Sequence, residues 1–302
     1  GSFLIVGAVQ VYNQSRQAYV INDAIARVQE TAQFAMDTIE ADLRMASNYG
    51  LNSRTDTIVG RATGGVDNPL SLSVPTNQVC GADWALALER PIEGNNNTYG
   101  LACGAQNTAQ ANSDTLTVRR ATVAPVAFDA SRIQIQTTRL EGVLIDDGAM
   151  PTGYNPVDSQ THNLLVNTYY VDQNSVLIPG VPTLRRKTLG VSGGNPAVND
   201  VEVAPGVENL QVQFGVDMDR NDTVDRYVNP GNAIITPGSG GFVPNARIIT
   251  ARVWIVVRSI SPELGIVDTN SYAPGDVNLG DPADEFRRLQ VSKTILLRNT
   301  RT

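Results

Sequence analysis

Asp217, Asp219, Asn221 and Asp225 alternate along the stretch Asp217-Met-Asp219-Arg-Asn221-Asp222-Thr223-Val-Asp225. They occupy positions 1, 3, 5 and 9 of that stretch. Oxygen side chains at this spacing can turn inward together around a hard cation, as in the front of a calcium loop of the EF-hand or dockerin type. Thr223, at position 7, would add its main-chain carbonyl. Two positions depart from that pattern. Asp222 stands where glycine makes the sharp turn, and Val228 stands where a bidentate Glu closes the shell. Asp tolerates left-handed backbone better than most residues, so the first departure is the milder one. The expectation is a structural Ca2+ held by Asp217, Asp219, Asn221, Thr223 and Asp225, with affinity of the order of 10⁻⁴–10⁻³ M. The competing reading is a solvated acidic turn between two strands.

The other chemistry-bearing residues are few. Cys80 and Cys103 are the two cysteines, and His162 is the one histidine. That set cannot build a conventional His- or Cys-rich zinc site. Set in Gly-, Asn- and Ala-rich sequence, the cysteines point to a disulfide and hence to an oxidising compartment. Two free thiols in a cytosolic protein is the alternative. His162 lies in Ser-Gln-Thr-His-Asn, which reads as an exposed loop with no nucleophile elbow beside it. There is no phosphate-cradling Gly-Lys-Ser/Thr loop and no dinucleotide fingerprint after a strand. Without a convergent constellation, no enzyme is expected. A net charge of −7 across 302 residues argues against sequence-independent nucleic-acid binding, which needs a basic face.

The elements that would carry these residues fall into two regimes. Residues 3–48 hold no proline and a single glycine, Gly7. From Ile21 onward, Ile21, Ala24, Ile25, Val28, Ala32, Ala35, Ile39 and Leu43 recur at spacings of three and four, which predicts one long amphipathic helix. Asp23, Arg27, Glu30, Asp37, Glu40 and Arg44 would face solvent, and Asn48 and Gly50 would stop the helix. The start, Phe3 to Val9, is apolar all round, but too short for a bilayer span of about 20 residues. It is also not a secretory signal, because it lacks a basic start and a small-residue cleavage site. It reads either as a buried helix start or as the end of a membrane anchor whose beginning precedes this chain.

After Gly50 the apolar period changes to two. Strands are predicted over 70–74, 115–119, 132–138, 164–171, 183–189, 208–216, 247–258 and 289–298. The run Val253-Trp-Ile-Val-Val suits a central strand covered on both faces. Residues 169–186 read as a hairpin, while 141–162, 217–246 and 259–285 read as long loops. The chain thus divides into a helix, 1–50, and a β-rich head, 51–302. The expected class is α+β, a long N-terminal helix packed on a mostly antiparallel head with long loops.

Several stretches resemble the PilW-type minor pilins of type IV pili. In the helix these are Gly7-Ala-Val-Gln-Val-Tyr, Ala26-Arg-Val-Gln-Glu30, Phe34-Ala-Met-Asp37 and Asp42-Leu-Arg-Met-Ala46. Further on they are Thr168-Tyr-Tyr-Val with Gly180-Val-Pro-Thr-Leu-Arg-Arg, and Gly206-Val-Glu-Asn-Leu-Gln-Val-Gln-Phe with Val224-Asp-Arg-Tyr. Ala251-Arg-Val-Trp-Ile-Val-Val-Arg258, Phe286-Arg-Arg288 and Leu297-Arg-Asn299 complete the set. Residues from about 55 to 163 resemble nothing specific beyond their cysteine pair.

The resemblance implies a type IV pilin plan and a structural role. In that family the helix anchors the precursor in the inner membrane and later packs in the pilus core. Its packing surface here would be Val9 and its neighbours, with Ile21, Ile25, Val28, Ala32 and Ile39. The first part would meet other pilin helices, and the later part the chain's own sheet. The implied partners are other minor pilins, the major pilin and a large tip adhesin. Together they prime assembly and sit extracellularly at the fibre tip, serving twitching motility, adhesion or DNA uptake. The family's processed start, a Phe followed by a Glu at the fifth position, has no counterpart here. That difference is expected of a chain lacking its first dozen or so residues. A pseudopilin of a type II secretion system would share this plan, and a secreted β-rich binding domain would share the head alone.

Overall fold

The computed structural model describes residues 2–63, 69–73, 80–81, 84–263 and 265–301. Within the N-terminal helix, side chains are described at Tyr12, Ser15 and Tyr19 and from Ile21 onward. Val9 therefore lies outside the described side chains.

One helix, α1 (Ser2–Met45), is followed by twelve strands among the described residues. They are β1 (Ile58–Val59), β2 (Ile92–Asn95), β3 (Thr115–Ala121), β4 (Gln134–Thr137), β5 (Gly142–Ile145) and β6 (Gln160–Asp172). The rest are β7 (Thr183–Ser192), β8 (Asn195–Pro205), β9 (Val207–Asp217), β10 (Arg226–Val228), β11 (Arg247–Arg258) and β12 (Arg288–Leu296). Two sheets result, one of eight strands and one of four in the order β10-β9-β11-β12. Strand β6 is the trunk of the larger sheet. Its residues 160–163 pair with β4, 164–169 with β3 and 167–172 with β7. Every ladder between named strands is antiparallel except the short β1–β5 pair.

Seven of the predicted strands form, and 247–258 forms with the predicted bounds. Strand β11 is central, between β9 and β12, as its apolar run requires, although Trp254 on its second face is only half-buried. Residues 70–73 are turn and irregular chain rather than strand, and Val74 lies outside the described residues. Two predicted loops contain structure: β5 and the start of β6 fall within 141–162, and β10 within 217–246. Only 259–285 lacks a named strand among its described residues; isolated bridges Asp268↔Asp284 and Tyr272↔Gly280 fold it on itself. Strand β8 escapes the period-two pattern because it carries Pro196, Asn199, Asp200 and Glu202. It pairs only with β7, an edge position where polar side chains and proline are tolerated. Gly193 and Gly194, both at positive φ (58° and 79°), make the two-residue turn between β7 and β8.

The helix stripe packs as its spacing predicts. Val28, Ala32, Ala35, Met36, Ile39 and Leu43 are buried, while Ile21, Ala24 and Ile25 are half-buried. The six buried residues form one core with Leu210, Val212 and Phe214 of β9 and Val253 and Ile255 of β11. A second core lies beyond the helix end. Tyr49, Ile58, Trp84, Leu86 and Leu88 meet Ile133, Ile135 and Leu144 there. The helix ends at Met45, ahead of the expected stop, with Ser47 in the left-handed region at φ 64°.

Two sequence expectations are corrected. Glu40, assigned to the solvent face, is buried because Lys293 of β12 and Arg44 both hold its carboxylate. His162 is 1% exposed on β6 rather than in a surface loop. Its Nδ1 lies 2.7 Å from the Thr122 carbonyl, and its ring fills the space beside Gly50. A Cβ at Gly50 would come within 2.5 Å of the ring, so glycine here serves both close approach and a φ of 87°.

Candidate functional site

The acidic stretch forms the hairpin connection between β9 and β10, where Val216 pairs with Arg226. Asp217 ends β9 with its side chain fully buried. The Asn221 and Asp222 amides donate to its carboxylate at 3.2 and 3.0 Å. Arg247 Nε and Nη2 donate to Asp217 Oδ2 at 3.0 and 2.9 Å. Asp219 accepts the Asn221 amide and side-chain N–H at 3.2 and 3.1 Å. Asp225 accepts the Met218 amide at 2.6 Å. These contacts bring one carboxylate oxygen each from Asp217, Asp219 and Asp225 within 4.8 Å of one another.

The backbone follows from the same residues. Arg220 and Asp222 take positive φ, 63° and 66°, so Asp222 supplies the left-handed turn normally given by glycine. The Asn221 side chain is engaged within the turn itself. Its Oδ1 accepts from the Thr223 amide at 2.8 Å and from the Thr223 hydroxyl, which closes an Asx turn. Thr223 is thus placed by Asn221.

Sequence spacing gave no sign of Arg247, which reaches the turn from the neighbouring strand. Its Nη2 also donates to Asp222 Oδ1 at 2.7 Å. Burial pushes the Asp217 carboxyl up, but Arg247 and the turn amides outweigh burial and hold it below the usual Asp range. The acids of this turn therefore have a resident counter-charge, and their repulsion is smaller than the sequence alone suggests.

Cys80 and Cys103 are joined as a disulfide across 23 residues. Cys80 is buried against the second core, and the Ala102 amide donates to the Cys80 carbonyl at 3.3 Å. The bond ties together two irregular segments that lie over the larger sheet.

On the helix, the predicted packing residues separate by position. Val28, Ala32 and Ile39 are used by the chain's own sheets, and Ile21 and Ile25 only partly. Tyr12, Tyr19 and Phe34 are exposed, at 67%, 81% and 57%. Asp42, from the last turns, is buried and was not singled out by sequence. Its carboxylate accepts from Arg120 at 2.9 and 2.7 Å, Asn167 at 2.7 Å and the Tyr169 hydroxyl at 2.6 Å. These partners lie 78 to 127 residues away in the chain, beyond the reach of any local pattern. Among the described residues no helix is both long and apolar enough to cross a membrane.

Residues 168–299 match the profile of the family described as Type IV Pilus-assembly protein W. That stretch runs from within β6 past β12 and contains every quoted block after the helix. No curated protein matches the chain. Among solved structures, it is similar to a type IV-like pilin from Thermus thermophilus, at 13% identity and a TM-score of 0.32. That similarity covers 63% of this chain and 80% of the pilin.

Proposed function

We propose that this chain is a minor pilin that helps prime assembly of a type IV pilus and sits at its tip. The match of residues 168–299 to a pilus-assembly family carries the reading. The disposition of the helix supports it. From Val28 onward its apolar stripe is spent on the chain's own sheets, and the turns before it present Tyr12 and Tyr19 outward. Those earlier turns, with Val9, would pack against other pilin helices. As a precursor the protein would sit in the inner membrane with its head in the periplasm; after assembly it would be extracellular. Its role is structural, exercised through partners rather than through catalysis.

Within that role the Asp217–Asp225 hairpin is proposed to take a weak structural Ca2+. Asp217, Asp219 and Asp225 would supply carboxylates, Asn221 its side-chain oxygen after turning from Thr223, and Thr223 its carbonyl. Arg247 competes for Asp217, which lowers the expected affinity further. Chelation should lower the melting temperature of the wild type more than that of an Asp219→Ala/Asp225→Ala variant. Equal responses would leave the turn as a solvated, Arg-balanced hairpin.

Deleting the gene tests the main reading, with surface pili and twitching as readouts; both should fall. Normal piliation with a secretion defect would point to a pseudopilin instead. In the complemented strain, Val9→Arg should block incorporation into fibres while leaving the head folded, because a charge in an apolar helix contact costs several kcal/mol. Fibres that still contain the variant would refute the proposed packing surface.

A further inference from the structure

A second oxygen-rich patch lies between the middle of β9, the turn after β2 and the irregular segment 259–285. Asp276 from that segment accepts from the side-chain N–H groups of Asn96 at 3.1 Å, Asn97 at 3.4 Å and Asn229 at 2.5 Å. Asn97 links it to a second acid: its main-chain amide donates to Asp114 at 2.7 Å. Asp114 is 1% exposed, and its other oxygen accepts the Val212 amide at 2.7 Å. Among the described residues neither Asp114 nor Asp276 is in an ion pair, unlike Asp217, Asp42 or Asp200. Asp276 is exposed and carries the charge of the patch, whereas Asp114 is buried.

Two buried oxygens in the same patch have no partner. Gln211, 1% exposed on β9, uses its Nε2 on Asn209 at 3.1 Å and on the Asn112 carbonyl at 2.9 Å. That fixes its Oε1 toward residue 275, where an added Cβ would lie 3.4 Å from it, and leaves Oε1 without a hydrogen bond. Asn96 Oδ1 is likewise buried and unpartnered, although the same amide reaches Asp276 with its nitrogen. Buried carbonyl oxygens with no donor, beside the Asp276 carboxylate, are the kind of ligand a hard cation takes.

We propose that this patch binds a divalent cation of the calcium type, with the Asp276 carboxylate, Gln211 Oε1 and Asn96 Oδ1 as protein ligands. Asp114 stands behind Asn97 and holds its amide without touching the ion; burial pushes its carboxyl up to about 7, so the charge the ion meets is that of Asp276. Waters complete the shell, as hard cations with few protein ligands require. The ion clips segment 259–285 and the turn after β2 onto β9. It is distinct from the Asp217 hairpin: Gln211 precedes Asp217 by six residues on the same strand, roughly 20 Å along it.

Calcium titration by calorimetry on the full chain tests this in an Asp219→Ala/Asp225→Ala background, which disables the hairpin. The background protein should still take up one ion per chain. Adding Asp276→Asn, at an exposed side chain where the fold should persist, should weaken uptake at least tenfold, with circular dichroism confirming the fold. A folded background protein that takes up no calcium at about 10 mM, ten times the weakest extracellular affinities, overturns the proposal and leaves water in the patch. So does an Asp276→Asn protein that binds as its parent does.

Discussion

The two hydrophobic cores are built by different means. The first joins α1 to β9 and β11, and most of its members stand on the helix or on strands. The second lies over the opposite end of the larger sheet and is covered largely by irregular chain: Tyr49, Leu72, Trp84, Leu86 and Leu88 are all outside strands. Irregular chain must satisfy its backbone without ladders. Here side chains and neighbouring backbone supply those partners, and a disulfide ties the segments together. Buried Arg119 donates to the Trp84 carbonyl at 2.7 Å and to the Arg90 carbonyl at 2.6 Å, and it ion-pairs with Glu93. Tyr49 donates its hydroxyl to the Leu88 carbonyl at 3.2 Å, and the Trp84 indole donates to Thr168 at 2.8 Å. The disulfide closes the same region. The first core rests on periodicity and is redundant over many turns and strands. The second rests on a few specific ties.

Cutting each core separately should expose that contrast. The largest effect is expected in the first: Leu43, fully buried, replaced by Ala should cost roughly 2–5 kcal/mol in denaturant unfolding. Because the helix seats both β9 and β11, the loss should be global, and hydrogen exchange should accelerate across both sheets. A local loss would mean the helix is a decoration on an independently stable head.

Removing the disulfide with Cys80→Ala/Cys103→Ala should cost about 3 kcal/mol by loop-closure entropy. Exchange protection should fall in residues 84–104 and stay intact in β9, β11 and β12. Alkylation of the native, unreduced wild type should modify neither thiol.

A smaller effect is expected at Glu40, where the helix is pinned to β12. The hydrogen bond from Lys293 lowers the Glu40 pKa from its ordinary 4.5, and burial opposes this only in part. Folding therefore favours the ionised form. That stability is present above about pH 4.5 and is lost as pH falls through the lower folded value. Glu40→Gln should cost on the order of 1 kcal/mol at neutral pH, since Lys293 is 40% exposed, and should flatten the acid limb of the stability profile. An unchanged acid limb would assign acid sensitivity to other carboxylates, such as Asp284, which Arg288 also holds low.

The first core was largely legible in the sequence, and the second was not. Spacings of three and four placed Val28, Ala32, Ile39 and Leu43 on one helix face, and alternation placed Leu210, Val212 and Phe214 on one strand face. Both patterns are local, repeated over many residues, and imposed by backbone geometry. The alternating acids at Asp217, Asp219 and Asp225 were legible for the same reason, and they do converge. The cysteine pair was legible through its rarity.

Tertiary structure alone decided the polar groups that face inward. Glu40, Asp42 and His162 carry no mark that separates them from solvent-facing residues. Each is buried because its partner, Lys293, Arg120 or the Thr122 carbonyl, arrives from another element. Arg247 is brought to Asp217 by the β9–β11 ladder, which pairs the two residues across 30 positions of sequence. The orphaned oxygens of Gln211 and Asn96 depend on the course of segment 259–285, which has no periodicity to read. An apolar side chain needs only a side to face, and the sequence repeats that instruction every turn or every second residue. A buried charge needs one particular partner at hydrogen-bond distance, and only the folded chain supplies it.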